Sequence, residues 1–334
     1  MALQIEVLMS SGTVHELSME SGCTTVQVKR QIAEQLLIPV ECQKLVVDGS
    51  ILDDASRLDS VGPVSMMLVV SVEEVCIQLE QGDMHQRVEA IDVLARLGRH
   101  CKGNERVVTA LIVRLGDQSA FVTAALLKCL PQVAGKGDDC TITSLIACLE
   151  NQHPMVRMAA VKCLPQMAEK GDQRTITALI ARLGDQSSGV RLAAVTFLPQ
   201  LAEKGDERII NALIVRLEDE SPDVRETAAE VLPQVADRGD ERTISALIAR
   251  SEDENPNVRQ VAVTGLSQVA VKGHERTITA LTALLEDRCR RVRSATAEAL
   301  QLLSEEGDKR TTAALQGRTY VLWAGAKRRK STKK

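Results

Sequence analysis

The chain has 334 residues, a net charge of −4 and 44% apolar residues, yet only one Trp, one Tyr and two Phe. That length exceeds what one globular core usually covers, and so few rings argue against the stacking platforms used by single-strand nucleic-acid binders. Nine cysteines without a CxxC pair argue against a disulfide framework or a zinc site, and no stretch approaches the ~18 apolar residues of a membrane span. A reducing compartment is therefore expected, and no secretion signal is expected because no basic start precedes an apolar run. Charge is unevenly placed: residues 1–71 carry a net −5, and the last eight residues carry six positive charges and no negative one. An acidic head and a basic tail imply separate modules.

In chain order, LQIEVLMSSGTVHELSM reads as two alternating strands around a Ser-Ser-Gly turn. TTVQVKRQIAEQLL reads as an amphipathic helix, with Val26, Val28, Ile32 and Leu36 at helical intervals and Thr24 or Thr25 as its cap. QKLVVDGSIL reads as strand, tight Asp48-Gly49 turn and short strand, and VSMMLVV as a final strand. This order, with Gln4-Ile5, Thr25-Val26, Val28-Lys29, Ile38-Pro39, Gln43-Lys44-Leu45-Val46, Asp48-Gly49 and Leu52, resembles ubiquitin across nearly the whole segment. The resemblance implies a β-grasp fold over residues 1–71. It also implies a binding patch, whose matching positions are Ser10, Val46 and Val69 or Val70. One of those positions is polar. Ubiquitin is conjugated through a di-glycine, whereas this strand runs into Ser71-Val72-Glu73-Glu74, so an internal, non-conjugating module is expected. The alternative is a domain that serves only as a stable N-terminal cap for the rest of the chain.

From there on, glycine recurs every 34 residues: Gly103, Gly137, Gly171, Gly205, Gly239, Gly273 and Gly307. Self-similarity at that period means a solenoid. In the unit from Gly205 to Arg238, ERIINALIVRL has helical apolar spacing, EDESPD breaks it, and DVRETAAEVLPQVA is helical again. Pro222 suits the first turn of the second helix and Gly239 its end. Each unit is a helical hairpin that buries its apolar stripe only by stacking on a neighbour. One column holds Asp117, Asn151, Asp185, Asp219, Asp253 and Asp287, and another, six residues on, holds Thr123, Arg157, Arg191, Arg225, Arg259 and Arg293. We read Asp185, Arg191, Asp219, Arg225, Asp253 and Arg259 as a structural ladder, because an Arg fork suits a carboxylate or turn carbonyls.

The turn Asp, the Pro, the Val-Arg pair and the Ala-rich second helix resemble HEAT repeats, and the short unit is similar to the lyase-type HEAT-like repeats of phycobilin attachment proteins. The expected architecture is therefore multidomain: a small α+β ubiquitin-like domain, an all-α right-handed HEAT-type solenoid over 73–316, and a basic tail over 317–334, expected to be disordered. Residues 73–102 read as a degenerate first repeat, with Asp83 and Val88 in the expected columns, and the unit from Gly307 loses its second helix. The prolines of the LPQ motifs, Pro131, Pro165, Pro199 and Pro233, are expected to bend the second helices.

Candidate chemistry is sparse. His15, His85, His100, His153 and His274 fall in different columns, so no metal or other cofactor is expected. Cys129 and Cys163 share a column with Phe197 and Val231 and read as core, whereas Cys140 and Cys148 stand where Arg is usual and are expected to be more exposed. No phosphate loop or nucleophile elbow is present. Lys327, Arg328, Arg329 and Lys330 form an import-signal candidate. Second helices line the concave face in HEAT-like solenoids, which points to Lys128, Lys162, Thr196, Glu230, Thr264 and Glu298. Phe121 and Met155 flank that column and make its first half basic and apolar. The leading expectation is a non-catalytic, intracellular scaffold, cytoplasmic or nuclear. It would bind one or more proteins and no small-molecule substrate, and neither nucleic acid nor membrane is an expected partner. A bilin-lyase-like or metal-dependent HEAT enzyme and a plain assembly spacer are the alternatives.

Overall fold

The computed structural model describes residues 2–9, 13–58 and 64–304, and the chain divides into two compact units, 1–167 and 168–334. The unit from Gly307 and the basic tail, with Lys327, Arg328, Arg329 and Lys330, lie outside the described residues, as does Ser10.

The first unit opens on a five-stranded sheet. Strands β1 (Ala2–Met9) and β2 (Val14–Glu20) are antiparallel, helix α1 (Thr25–Leu36) comes next, and β3 (Gln43–Val47), β4 (Ser50–Ile51) and β5 (Val64–Val70) complete the order β2-β1-β5-β3-β4. β1 and β5 run parallel at the centre. The period-2 pattern sets the two faces. Leu3, Ile5, Val7, Leu45, Met66 and Leu68 are buried together with Val28 and Ile32 of α1. Asp48 and Gly49 both have positive φ, at 49° and 78°, which is the twist a two-residue hairpin needs. Thr24 N–H donates to Gln27 Oε1 at 2.7 Å and opens α1.

Three hairpins come after the sheet in the same unit: α2 (Glu73–Gln81) with α3 (Met84–Leu97), α4 (Glu105–Val113) with α5 (Ala120–Val133), and α6 (Asp139–Cys148) with α7 (Pro154–Met167). The sheet domain and the first hairpin share a buried seam. Ser71 N–H donates to the Cys42 carbonyl at 2.8 Å, and His100 Nε2 lies 3.2 Å from the Leu36 carbonyl. Cys42, Cys76 and Cys101 are buried there, and burial first, then the neighbouring charges and thiols, pushes Cys42 up to about 12.

The second unit holds α8 (Gln173–Arg182) with α9 (Ser188–Phe197), α10 (Glu207–Arg216) with α11 (Pro222–Val235), α12 (Glu241–Arg250) with α13 (Pro256–Val269), and α14 (Glu275–Leu284) with α15 (Arg290–Leu303). The repeating signals each have a physical task. Asp172, Asp206 and Asp240 cap the first helices by accepting backbone N–H groups. The repeat glycines adopt φ between 77° and 88°, and each donates its N–H across to the end of the next hairpin, as Gly205 does to the Val235 carbonyl at 2.7 Å. That bond ties neighbouring units together through the backbone.

Pro131, Pro165 and Pro233 lie inside helices, and only at Pro199 does α-helix give way to a tighter turn, Leu198–Gln200. α13 has Ser267 in this column and the same 14-residue length as α11, so the proline does not define the element. The first hairpin is also offset. Asp83 caps α3 as Ser119 caps α5, a spacing of 36 residues and not 34. The turn is two residues shorter, so Arg87, and not the residue 34 before Thr123, takes the place of the repeat arginine.

Candidate protein-binding surface

In the first unit, α3, α5 and α7 pack side by side. Lys128 and Lys162 stand exposed on neighbouring helices, and among the described residues no carboxylate pairs with either. Phe121 is 59% exposed, an unusual position for one of two phenylalanines in the chain, and Met155 and Met158 are half-buried nearby along α7. Gln166 turns its amide back onto the Lys162 carbonyl at 2.9 Å. The structure thus brings Lys128, Lys162, Phe121 and Met155 together on second helices of one unit.

In the second unit, Thr196, Glu230, Thr264 and Glu298 are all exposed on α9, α11, α13 and α15. The Thr196 and Thr264 hydroxyls bond back to their own helices, at the carbonyls of Leu192 and Gln260, so the two glutamates supply the polarity. Beside them Arg291 donates to Asn257 Oδ1 at 2.7 Å.

The ladder residues form a continuous series in the second unit. Arg191 donates through Nε and Nη2 to both carboxylate oxygens of Asp219, at 2.9 and 2.8 Å, and through Nη1 to the Asp185 carbonyl at 2.9 Å. Arg225 repeats this with Asp253 and the Asp219 carbonyl, and Arg259 with Asp287 and the Asp253 carbonyl. Asp185, Asp219, Asp253 and the three arginines are buried. Burial alone would raise the Asp219 carboxyl, but the Arg191 hydrogen bonds and the Ser221 N–H outweigh it and hold the group below its usual range.

On the sheet, Val46 lies on the outer face opposite Met67, whereas Val70 lies opposite buried Gln43 and so faces inward. Val69, at 39% exposed, shares the outer face with Val46; Val70 does not. The sequence reading missed a longer feature. Pairing aligns Val14, Leu8, Met67, Val46 and Ile51 in one row across all five strands, with Glu6 and Glu16 in the next row. Alternating Ser65, Met67 and Val69 marks one strand's outer face, but strand neighbours are long-range information.

Among the described residues no group of three His, Cys, Asp or Glu side chains is placed to hold a metal ion. His274 caps α14 and its Nε2 lies 3.1 Å from Glu241 Oε1. Cys129 and Cys163 are core, their thiols pushed up to about 12 chiefly by burial. Cys140 is exposed, but Cys148 is buried, against expectation. The other side chains of the Cys148 column, Arg182, Arg216 and Arg250, run their stems along the turn edge, and a short thiol there stays beneath the surface.

The family model described as HEAT repeats matches residues 108–199, 198–267 and 244–320. The chain belongs to the HEAT-repeat family. A ubiquitin-family model matches residues 4–69, so the N-terminal sheet is a ubiquitin-like domain. Among solved structures, the Escherichia coli protein YibA is 21% identical, with 74% of this chain and 86% of that one covered at a TM-score of 0.52. Kap95p, solved with RanGDP, is 12% identical over 68% of this chain and 34% of its own, at a TM-score of 0.51. The CpcE–CpcF phycocyanin lyase of Nostoc is 20% identical over 75% of this chain and 95% of that one, at a TM-score of 0.40. These likenesses are of fold. A sequence search found no match among curated proteins. HEAT repeats fit a protein-binding solenoid, and no helix among the described residues is long and apolar enough to cross a membrane.

Proposed function

We propose that this HEAT-repeat protein is a non-catalytic scaffold that holds a client on the second-helix face of its first unit. The observation that carries the reading is the pairing of Lys128 and Lys162 with exposed Phe121 and half-buried Met155. An aromatic anchor beside unpaired cations suits an acidic segment with an apolar residue, because buried rings supply affinity and charge supplies steering. The ubiquitin-like domain is an internal module. Its outer row of Val14, Leu8, Met67, Val46 and Ile51 offers a second contact surface. The test is affinity capture with the native chain beside a Lys128→Glu/Lys162→Glu variant, the captured proteins being compared by mass spectrometry. An acidic client held by the native chain and lost from the variant is the expected result. Identical captures would overturn the assignment to this face.

A further inference from the structure

Three rungs of the second unit define what a guanidinium touches in this fold. Arg191 reaches the carbonyls of Asp185 and Gln186, the carboxylate of Asp219 and the side chain of Glu220. Arg225 reaches the matching four groups on Asp219, Glu220, Asp253 and Glu254. Arg259 does the same with Asp253, Glu254 and Asp287. The ligand chemistry of this location is therefore written three times in one chain.

In the first unit the same location differs. The arginine is replaced by Thr123 and the carboxylate by Asn151. The loss is matched: a buried Asp without its Arg would be an uncompensated charge. An open pocket of about 430 Å³ lies beside this location, lined by Asp117, Gln118, Asn151 and Gln152, with Ala120, His153 and Pro154 at its edge; Thr123 itself is buried, and a pocket of about 380 Å³ also lies beside the filled Arg225 rung. The first four are the counterparts of the four residues that Arg191 and Arg225 each contact in the second unit. Thr123 Oγ1 bonds back to the Ser119 carbonyl at 3.3 Å and lies 3.4 Å from the Asp117 carbonyl. Asn151 Oδ1 accepts the His153 N–H at 2.9 Å, just as Asp219 Oδ1 accepts Ser221 N–H while still bonding Arg191. The Asp117 carboxylate beneath is nearly fully buried against Arg87 Nε at 3.1 Å.

We infer that the pocket at Asn151 is a binding site for a guanidinium group supplied in trans, the arginine side chain of a partner protein. The acceptors are planar carbonyl and amide oxygens of two adjacent turns. They suit a fork of N–H donors and not the compact ammonium of lysine. Asn151 in place of Asp makes the bond weaker than in the cis rungs, so the arginine can leave again. The site lies on the turn edge and does not use Lys128 or Lys162.

The test titrates the full-length protein with acetyl-arginine-amide and tracks backbone amide shifts of residues 117–123 and 151–154 by NMR. A saturable shift with Kd on the order of 1 mM is expected for so small a ligand. Acetyl-lysine-amide should bind about fivefold more weakly or worse, because it lacks the fork. Asn151→Asp should tighten arginine binding roughly tenfold by restoring a charge-assisted pair. Thr123→Arg should fill the site from within and abolish the shifts. If Thr123→Arg does not fold, the arginine-to-lysine ratio and the Asn151→Asp titration decide alone. No shift up to about 20 mM, some twentyfold above the expected Kd, would sink the inference. So would equal affinity for the two probes, no tightening by Asn151→Asp, or arginine binding that persists in a folded Thr123→Arg protein.

Discussion

At the scale of single residues, the ladder arginines carry the largest expected effects. Arg225 and Asp253 are almost wholly buried, at 9% and 3% side-chain exposure, and removal of either strips the other of its two-pronged partner, leaving as opposite charges only Arg250 for Asp253, at 3.5 Å, and exposed Glu254 for Arg225, at 3.4 Å. Arg225→Ala should cost about 3–5 kcal/mol, read as a shift in the urea midpoint, whereas Arg225→Met with Asp253→Leu should cost far less. The same pairs set the acid limit of the fold. Asp219, Asp253 and Asp287 have carboxyls lowered below the usual 3.8: burial opposes the shift, and guanidinium and backbone hydrogen bonds overcome it. A group lowered in the folded state stabilises it at all pH above its ordinary value and loses that contribution as pH falls towards the folded value. Circular dichroism should therefore stay flat through neutral pH and fall only below about pH 4, with a shallower fall in the Arg225→Met/Asp253→Leu protein. The cysteines give a further prediction. Cys140 is exposed and Cys289 half-buried, and backbone N–H groups of Val292 and Arg291 lower the Cys289 thiol. Ellman's reagent should react with these two in the native protein, Cys289 first, and with all nine only in denaturant. Early reaction at Cys148 would contradict its burial.

At the scale of elements, the caps and turn glycines explain why the hairpins were legible in the sequence. Asp240 accepts both the N–H and, at 2.6 Å, the hydroxyl of Thr243, so Asp240→Ala should cost about 1 kcal/mol. Gly205 has φ 83°, and an added Cβ would lie 2.8 Å from Asp237 Oδ2. Gly205→Ala should cost at least about 1 kcal/mol by thermal melting, since the backbone strain remains even when the exposed Asp237 moves aside. These devices act within a few residues, so a fixed period of Gly, Asp and Pro announces them. The offset of the first hairpin was hidden for the opposite reason. Arg87 finds its partner Asp117 across two helices, and a two-residue shortening of the turn breaks the column by which it could be counted. The row of outer apolar residues on the sheet was hidden likewise, because β1 meets β5 only in the folded chain. The candidate face on α5 and α7 was legible as columns, but that Phe121 is exposed while Cys148 is buried depends on packing.

At the scale of the whole molecule, the question is whether the ubiquitin-like domain is tethered to the first hairpin or built onto it. A solenoid end exposes an apolar face that needs a cover, and each repeat draws stability from its neighbours. The inner side of α2 offers Val75, Cys76 and Leu79, all buried, and the backbone leaves β5 with Ser71 already bonded to Cys42. Cys42, Cys76 and Cys101 are buried at this seam, and His100 adds a polar contact to the end of α1. If the domain is that cover, a protein beginning at residue 72 should lose amide hydrogen-exchange protection in α2 and α3 by on the order of tenfold or more, while α11 to α13 keep theirs. The contrast between the two sets of helices separates a local loss of cover from general destabilisation. Unchanged protection of α2 would mean instead that the domain is an appended module whose surfaces act on their own.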